Sequence, residues 1–420
     1  IDGDRPRERG SDAVVTAQGL KVPRPGVSIT MGNPHTVVAL AEGEKLDHLQ
    51  LWTQPEVSPT PPDGTNVEFV VPADDEGDGI GRLRMRVHER GVGETQSCGT
   101  GACAAALALS PWSAAPGAAQ EWRGWNIHPP DYPVSRGMDR FAELVAQRTG
   151  NRIRLRAYHS AQLGQQDEAI QQMRLGSIDF AEFNLSPLNN IAPATQVVTM
   201  PFLFRDAPHL HAVMDGPVGD DIAKDLEAVG IVALAWYDAG ARGIYNRVRP
   251  IRTPEDLRGM KIRVQTSDLW IDMMRAMGAN PTPLPFGEVY TSLQSGVIDG
   301  AENNWPSYES TRHFEAARHY STTGHSNVPE VLAVSRQRWQ RLNEADRAAL
   351  RESARESARL QRGLWAERER VSRERVAAAG AQIVEIADRG PWAKLMEPVY
   401  AKYASGPRQS ELVRRIRETR

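Results

Sequence analysis

The sequence predicts an α/β fold preceded by a shorter α+β segment, and three observations carry that reading. Residues 1–110 are rich in Gly and Pro and hold short β-branched runs between turn residues. Residues 110–120 form a Pro/Ala/Gly/Ser stretch with no apolar period and no charge, the composition of an interdomain linker. Beyond it strands and helices alternate, a rhythm that calls for a largely parallel sheet with ligands at the carboxyl ends of its strands. The expected division is 1–109, a linker over 110–121, and 122–420.

The elements follow in order. Val27-Ser28-Ile29-Thr30 and Val67-Glu68-Phe69-Val70-Val71 read as strands, and 81–88 alternates apolar and polar side chains as a strand with one buried face does. Residues 101–109, almost all Ala and Leu, predict a helix apolar on every side and therefore buried. After the linker, 138–148 reads as an amphipathic helix, 152–158 as a strand, 165–175 as a second helix and 231–236 as a strand. Residues 343–379 are a run of Ala, Arg and Glu whose charge spacing suits a solvated helical surface.

Composition excludes several classes of function. The 420 residues carry 50 Lys plus Arg against 53 Asp plus Glu, so no basic field draws phosphate backbones and nucleic acid is not an expected partner. Two cysteines, Cys98 and Cys103, cannot build a disulfide framework, no His/Cys spacing suits zinc, and neither metal nor cofactor is called for. No window of eighteen apolar residues occurs, so no membrane insertion is expected. The chain opens on Ile1-Asp2-Gly3 without Met or a secretory pattern, which implies a removed leader or a start inside a longer frame.

The densest chemical motif is ERGVGETQSCGTGACAAA, residues 89–106. Cys98 precedes a Gly-Thr-Gly turn at the start of the Ala-rich helix, where unpaired amides and the helix dipole lower a thiol pKa and seat a carboxylate. Cys103, inside that helix, reads as a small buried thiol. With Met31-Gly32-Asn33-Pro34-His35 and Gly64-Thr65-Asn66-Val67-Glu68-Phe69, the motif resembles the C-terminal half of diaminopimelate epimerase over residues 20–109. The resemblance implies that Cys98 is one of two thiols that face a substrate α-carbon. Asn33 and Asn66 would then hold polar groups, Glu89 and Arg90 the amino and carboxylate ends, and Gly99 and Thr100 would offer amides. The half that carries the opposing cysteine is missing, and Cys103 lies roughly 500° around the helix from Cys98. The expectation is a truncated, vestigial half-site.

Residues 122–420 hold no cysteine and no GxxxxGK[ST] phosphate loop. Their informative residues are Arg, Asn and aromatics at strand ends. An inward Arg263 would grip a carboxylate through two parallel hydrogen bonds, although for this residue alone a surface or internal ion pair is an equal alternative. QMRLGSID (172–179), MPFLF (200–204), PEDLRGMKIRV (254–264), GANPTPLPFGEVY (278–290) and VIDGAENN (297–304) occur in this order. Together they resemble the DctP-type solute-binding proteins of TRAP transporters.

That resemblance implies two α/β lobes, about 122–239 with 328–367 and about 240–327 with the C-terminal helices, hinged and crossed by a long helix. They would close on a small organic acid in the periplasm and hand it to TRAP membrane subunits. Arg263 would be the carboxylate clamp, Arg242 a second cationic contact, Asn303 an orienting amide and Phe286 the apolar side. Similarity to hexuronate-binding members adds His128 and Asn184, each of which alone also reads as a cap or loop residue. A rival reading is a cytoplasmic isomerase whose other half comes from a second chain. A third is a junction of two frames with no joint function.

Overall fold

The computed structural model describes residues 13–30, 33–40, 44–72, 83–95, 101–102, 104–105 and 120–420. The chain divides into two compact units, residues 1–118 and 119–420.

The first unit is built on one sheet of β1 (Ala13–Thr16), β2 (Arg24–Thr30), β3 (Pro34–Ala39), β4 (Glu56–Ser58), β5 (Asn66–Pro72), β6 (Leu83–Glu89) and β7 (Gly93–Thr95), ordered β4-β1-β2-β3-β5-β6-β7. Neighbours are antiparallel except β3 and β5. Successive side chains on a strand point to opposite faces. Val38, Val67 and Phe69 accordingly pack with Leu46, Leu49 and Leu51, while Val37 and Val70 pack with Ala104 and Ala105. The expected helix over 101–109 is helical at 101–102 and 104–105, its remaining positions lying outside the described residues. Ala104 and Ala105 are buried and Ala102 is exposed, so the expectation of burial on every side fails at Ala102.

The second unit holds two sheets. β8 (Gln120–Trp125), β9 (Ile153–Tyr158), β10 (Phe180–Asn184), β11 (Ile231–Tyr237) and β17 (Glu330–Ser335) form one, in the order β11-β17-β10-β8-β9. β12 (Gly243–Asn246), β13 (Lys261–Val264), β14 (Asn280–Pro283), β15 (Gly300–Asn303), β16 (His319–Ser321) and β18 (Gln382–Val384) form the other, in the order β14-β13-β15-β12-β16-β18. β8 starts within the expected linker, with Gln120 and Glu121 paired to Ile153 and Arg154.

Both sheets are mixed rather than largely parallel. β12 runs antiparallel to β15 and β16, and β17 antiparallel to β10 and β11. The reason is topological: β12 and β17 are the strands by which the chain enters a sheet from the opposite lobe, without a crossover helix to return it in parallel.

The run read as a solvated surface is the helix Glu344–Ala378, 35 residues and about 50 Å long. Asn343 caps it, its side chain accepting from the Asp346 amide at 2.8 Å. Its charges do face solvent in part, yet Leu350, Ser353, Ala354, Ser357, Ala358, Gln361 and Trp365 form a buried stripe at helical spacing. Near its start Glu356 binds Arg140 and Arg148 of the first lobe, at 2.9 and 2.8 Å. Further along, Arg368 binds Glu309 of the second lobe at 2.6 Å. One helix is thus fastened to both lobes.

It also fastens the first crossing. Gln361 accepts from the Asp238 amide at 2.9 Å and donates to the Asp238 carbonyl at 2.8 Å, which satisfies both backbone groups where the chain leaves β11. Gly240 follows with φ +62°, and a Cβ there would stand 2.6 Å from Trp365 Nε1. The last helix, Pro407–Glu418, was expected on the second lobe. It packs instead on helices Thr195–Val198 and Pro217–Ala228 of the first, burying Leu412, Val413 and Ile416.

Candidate functional site

The carboxyl ends of β8, β10, β13 and β15, with the starts of β12 and β17, converge on one cleft between the lobes. Its walls include His128, Glu182, Asn184, Arg242, Arg263, Phe286, Asn303 and Glu330. All six receptor-site residues expected from the sequence therefore stand together, and Glu182 and Glu330 join them. The walls touch: the His128 and Phe286 rings meet edge to face at 5.7 Å, and the Gly287 amide donates to Gln165 Oε1 at 3.4 Å.

Arg263 sits on β13, its Nε donating to the Leu284 carbonyl at 2.9 Å. It is 4% exposed, and among the described residues no carboxylate lies within ion-pair distance of its guanidinium. Burial lowers its pKa to about 10, partly offset by the charge of Glu302, so it remains cationic at neutral pH. The internal ion pair left open for Arg263 is made by Arg242 instead. Arg242 donates through Nε and Nη2 to both carboxylate oxygens of Glu302, with Nη2 at 3.0 Å, and lies 5.2 Å from the Trp270 ring centroid. Burial works to raise the Glu302 pKa, but Arg242 and His325 outweigh it and hold the carboxyl below its usual range.

The polar side chains are partly spent. Asn303 accepts the Asn304 amide at 2.9 Å, and Asn184 accepts the Ser186 amide at 3.1 Å while donating to Glu330 Oε1 at 3.4 Å. His128 stacks on Tyr132 at 3.8 Å, and burial, reinforced by Arg242, lowers its pKa to about 3, which keeps the ring neutral. Glu182 and Glu330 escaped the sequence reading because each sits in an apolar strand, FAEFN and EVLAVS. A lone carboxylate within a fully buried strand was the available signal.

The first unit arranges its expected residues differently. Asn66 Oδ1 accepts the Arg90 amide at 2.9 Å, Arg90 Nη1 donates to the Asp63 carbonyl, and Thr95 donates to Glu89 at 2.8 Å. Asn33 is exposed at the start of β3. Cys98, Gly99, Thr100 and Cys103 lie outside the described residues. A buried pair missed from sequence stands on β3 and β5, His35 Nδ1 and Glu68 Oε1 at 2.6 Å. Among the described residues no His/Cys/Asp/Glu group could hold a metal, and no helix is long and apolar enough to cross a membrane.

Comparison with known proteins covers both units. Residues 27–111 match the diaminopimelate epimerase family. Residues 126–406, more than half of the chain, match the bacterial extracellular solute-binding proteins of family 7, DctP. A solute-binding protein of Chromohalobacter salexigens is 43% identical over 307 residues, covering 73% of this chain and 91% of the relative. A TRAP periplasmic solute-binding protein of Sulfitobacter sp. NAS-14.1, solved with β-D-galacturonate, is 47% identical with a TM-score of 0.69, covering 71% of this chain and 99% of that one. Its counterpart from Roseobacter denitrificans, solved with β-D-glucuronate, is 46% identical with a TM-score of 0.70, covering 72% and 100%. Two mixed sheets about an arginine-bearing cleft, spanned by one long helix and matched over most of the chain, mark a receptor: the chain belongs to family 7 of the bacterial extracellular solute-binding proteins, with a short diaminopimelate-epimerase-like segment ahead of the receptor.

Proposed function

We propose that the protein captures a hexuronate in the periplasm and delivers it to the membrane subunits of a TRAP transporter. The observation that carries this reading is the buried guanidinium of Arg263, cationic and without a carboxylate partner among the described residues. A ligand carboxylate supplies the missing charge and accepts two parallel hydrogen bonds from the Nη atoms. Arg242, already neutralised by Glu302, adds an oriented positive edge rather than a second clamp. Asn303, its oxygen committed to the Asn304 amide, keeps its NH2 to donate. Phe286 and the neutral ring of His128 give an apolar wall for the C–H face of a sugar. Asn184 and the two glutamates supply acceptors for hydroxyls.

Closure of the lobes removes water from the Arg263–ligand pair and gains contacts from both walls at once, so the ligand favours the shut form. That shape is what membrane subunits would recognise. Support for the ligand class comes from the two solved relatives above, which hold hexuronates.

Isothermal titration of the full chain with glucuronate, galacturonate and succinate tests the reading. Saturable heat with either hexuronate and none with succinate is expected. If neither hexuronate gives heat or raises the melting temperature, the proposal fails.

A further inference from the structure

Resting on that reading of the cleft, we infer that Glu182 and Glu330 form its hydroxyl-reading wall and set specificity, admitting a polyhydroxylated monoacid and rejecting a dicarboxylate. In the antiparallel pairing of β10 and β17, Asn184 lies opposite Glu330 and Glu182 opposite Leu332. Period-two alternation then puts Glu182, Asn184 and Glu330 on one face of the sheet. Both glutamates line the cleft, and they are 1% and 5% exposed. Glu182 Oε1 and Glu330 Oε2 are buried and, among the described residues, accept from no N–H or hydroxyl group; the two carboxyls hydrogen-bond each other.

Beyond that shared proton and the Asn184 amide, the neighbouring groups supply no further donor among the described residues. Arg242 is committed to Glu302, the Tyr237 hydroxyl bonds Ser357 at 2.8 Å, and the Tyr132 hydroxyl bonds Ser307 at 2.9 Å. Asp238 is paired with His211 at 2.7 Å and adds a further acceptor charge nearby. Burial holds both above the usual carboxylate range; the neighbouring Glu330 raises Glu182 further, while hydrogen bonds with Asn184 and Glu182 pull Glu330 back, to about 7.

This wall has an excess of acceptors, and unsatisfied buried acceptors are costly. Sugar hydroxyls donate to them. A second ligand carboxylate has no hydrogen to give, and the proton of the glutamate pair is already shared between its two carboxyls; a site built around hydroxyl donors discriminates strongly against an analogue that lacks them.

The test is titration of the full-length wild type, Glu182→Gln and Glu330→Gln with glucuronate and with adipate, a six-carbon dicarboxylate without hydroxyls. The wild type should bind glucuronate and not adipate. Each amide variant should melt no lower than the wild type and lose at least about tenfold of its glucuronate affinity, the equivalent of one buried hydrogen bond. Because an amide can donate to a carboxylate, the preference for glucuronate over adipate should narrow in both variants. If Glu182→Gln does not fold, Glu330→Gln decides alone, since its amide oxygen still accepts from Asn184. Glucuronate binding and preference within about twofold of wild type in the folded variants would overturn this inference and leave the functional reading standing. Where the wild type takes galacturonate instead, that hexuronate replaces glucuronate in every arm, and absence of wild-type binding to both hexuronates would overturn both.

Discussion

The front sheet and the receptor unit each bury an ionisable pair near residues that motif resemblance assigns to binding, and they spend their polar groups in opposite ways. In the front sheet, Asn66, Glu89 and Arg90 are bonded to neighbouring turns and strands. In the receptor, Arg242 and Glu302 neutralise each other while Arg263, on the strand alongside β15, has only its Nε engaged among the described residues. Motif identity alone does not separate these cases. What separates them is unspent hydrogen-bonding capacity in a buried place, which the receptor has at Arg263, Glu182 and Glu330.

The largest expected effect is on the receptor's internal pair. Arg242→Ala leaves Glu302 buried without its counter-charge and should cost about 3–5 kcal/mol of stability in chemical denaturation. A loss below about 1 kcal/mol would put the pair on a par with an exposed one. Next, Arg263→Ala should weaken hexuronate binding at least about a hundredfold by titration, because it removes one partner of a desolvated charge pair. Its melting temperature should stay close to wild type, since no internal carboxylate depends on it. Equal losses of stability for the two arginines would erase the distinction between structural and binding cation.

The third expectation concerns pH. Glu330 has a folded pKa raised to about 7, chiefly by burial. Its contribution to stability is therefore whole below the unfolded value near 4.5 and lost as pH climbs through about 7. Melting curves of wild type and Glu330→Gln should diverge as pH rises from 5 to 8, with only the wild type penalised through this site. Glu302 has the opposite sign: its lowered pKa gives stability present above the unfolded value and lost on acidification. Parallel curves for the two proteins would show that Glu330 does not titrate in this window. The smallest effect belongs to the front sheet, where Glu94→Gln breaks a partly exposed pair with Arg86 and should cost less than about 1 kcal/mol.

Much of the molecule was legible in the sequence, for identifiable reasons. The runs at 27–30 and 67–71 lie inside β2 and β5, and the segment 165–175 contains the helix Gln166–Arg174, because turn residues and periodicity act locally. The mixed sheets were not legible, since the direction in which β12 and β17 enter depends on where the chain has been. The buried stripe of the long helix was obscured by Ser353, Ala354, Ser357 and Ala358, which score as indifferent to water yet let neighbouring helices approach closely. At the site, Arg263 and Arg242 were both visible as cations. Which of them was already paired was decided by Glu302, and the carboxylates on β10 and β17 were masked by the apolar strands that hold them.

The route of β17 also governs the order in which the protein can be assembled. The first lobe's sheet has β17 between β10 and β11, so the place between those two strands stays vacant until residues 330–335 arrive, after five strands of the other sheet have passed. That other sheet waits in turn for residues 382–384 at its edge. Emerging from a ribosome, neither lobe can finish before most of the chain is out, and the unpaired edges of β10 and β11 stand open meanwhile. The front sheet contains every one of its own described strands by residue 95 and is free of that delay. During synthesis, then, the receptor is the half that needs shelter, and its two glutamates come together only when β17 closes the gap.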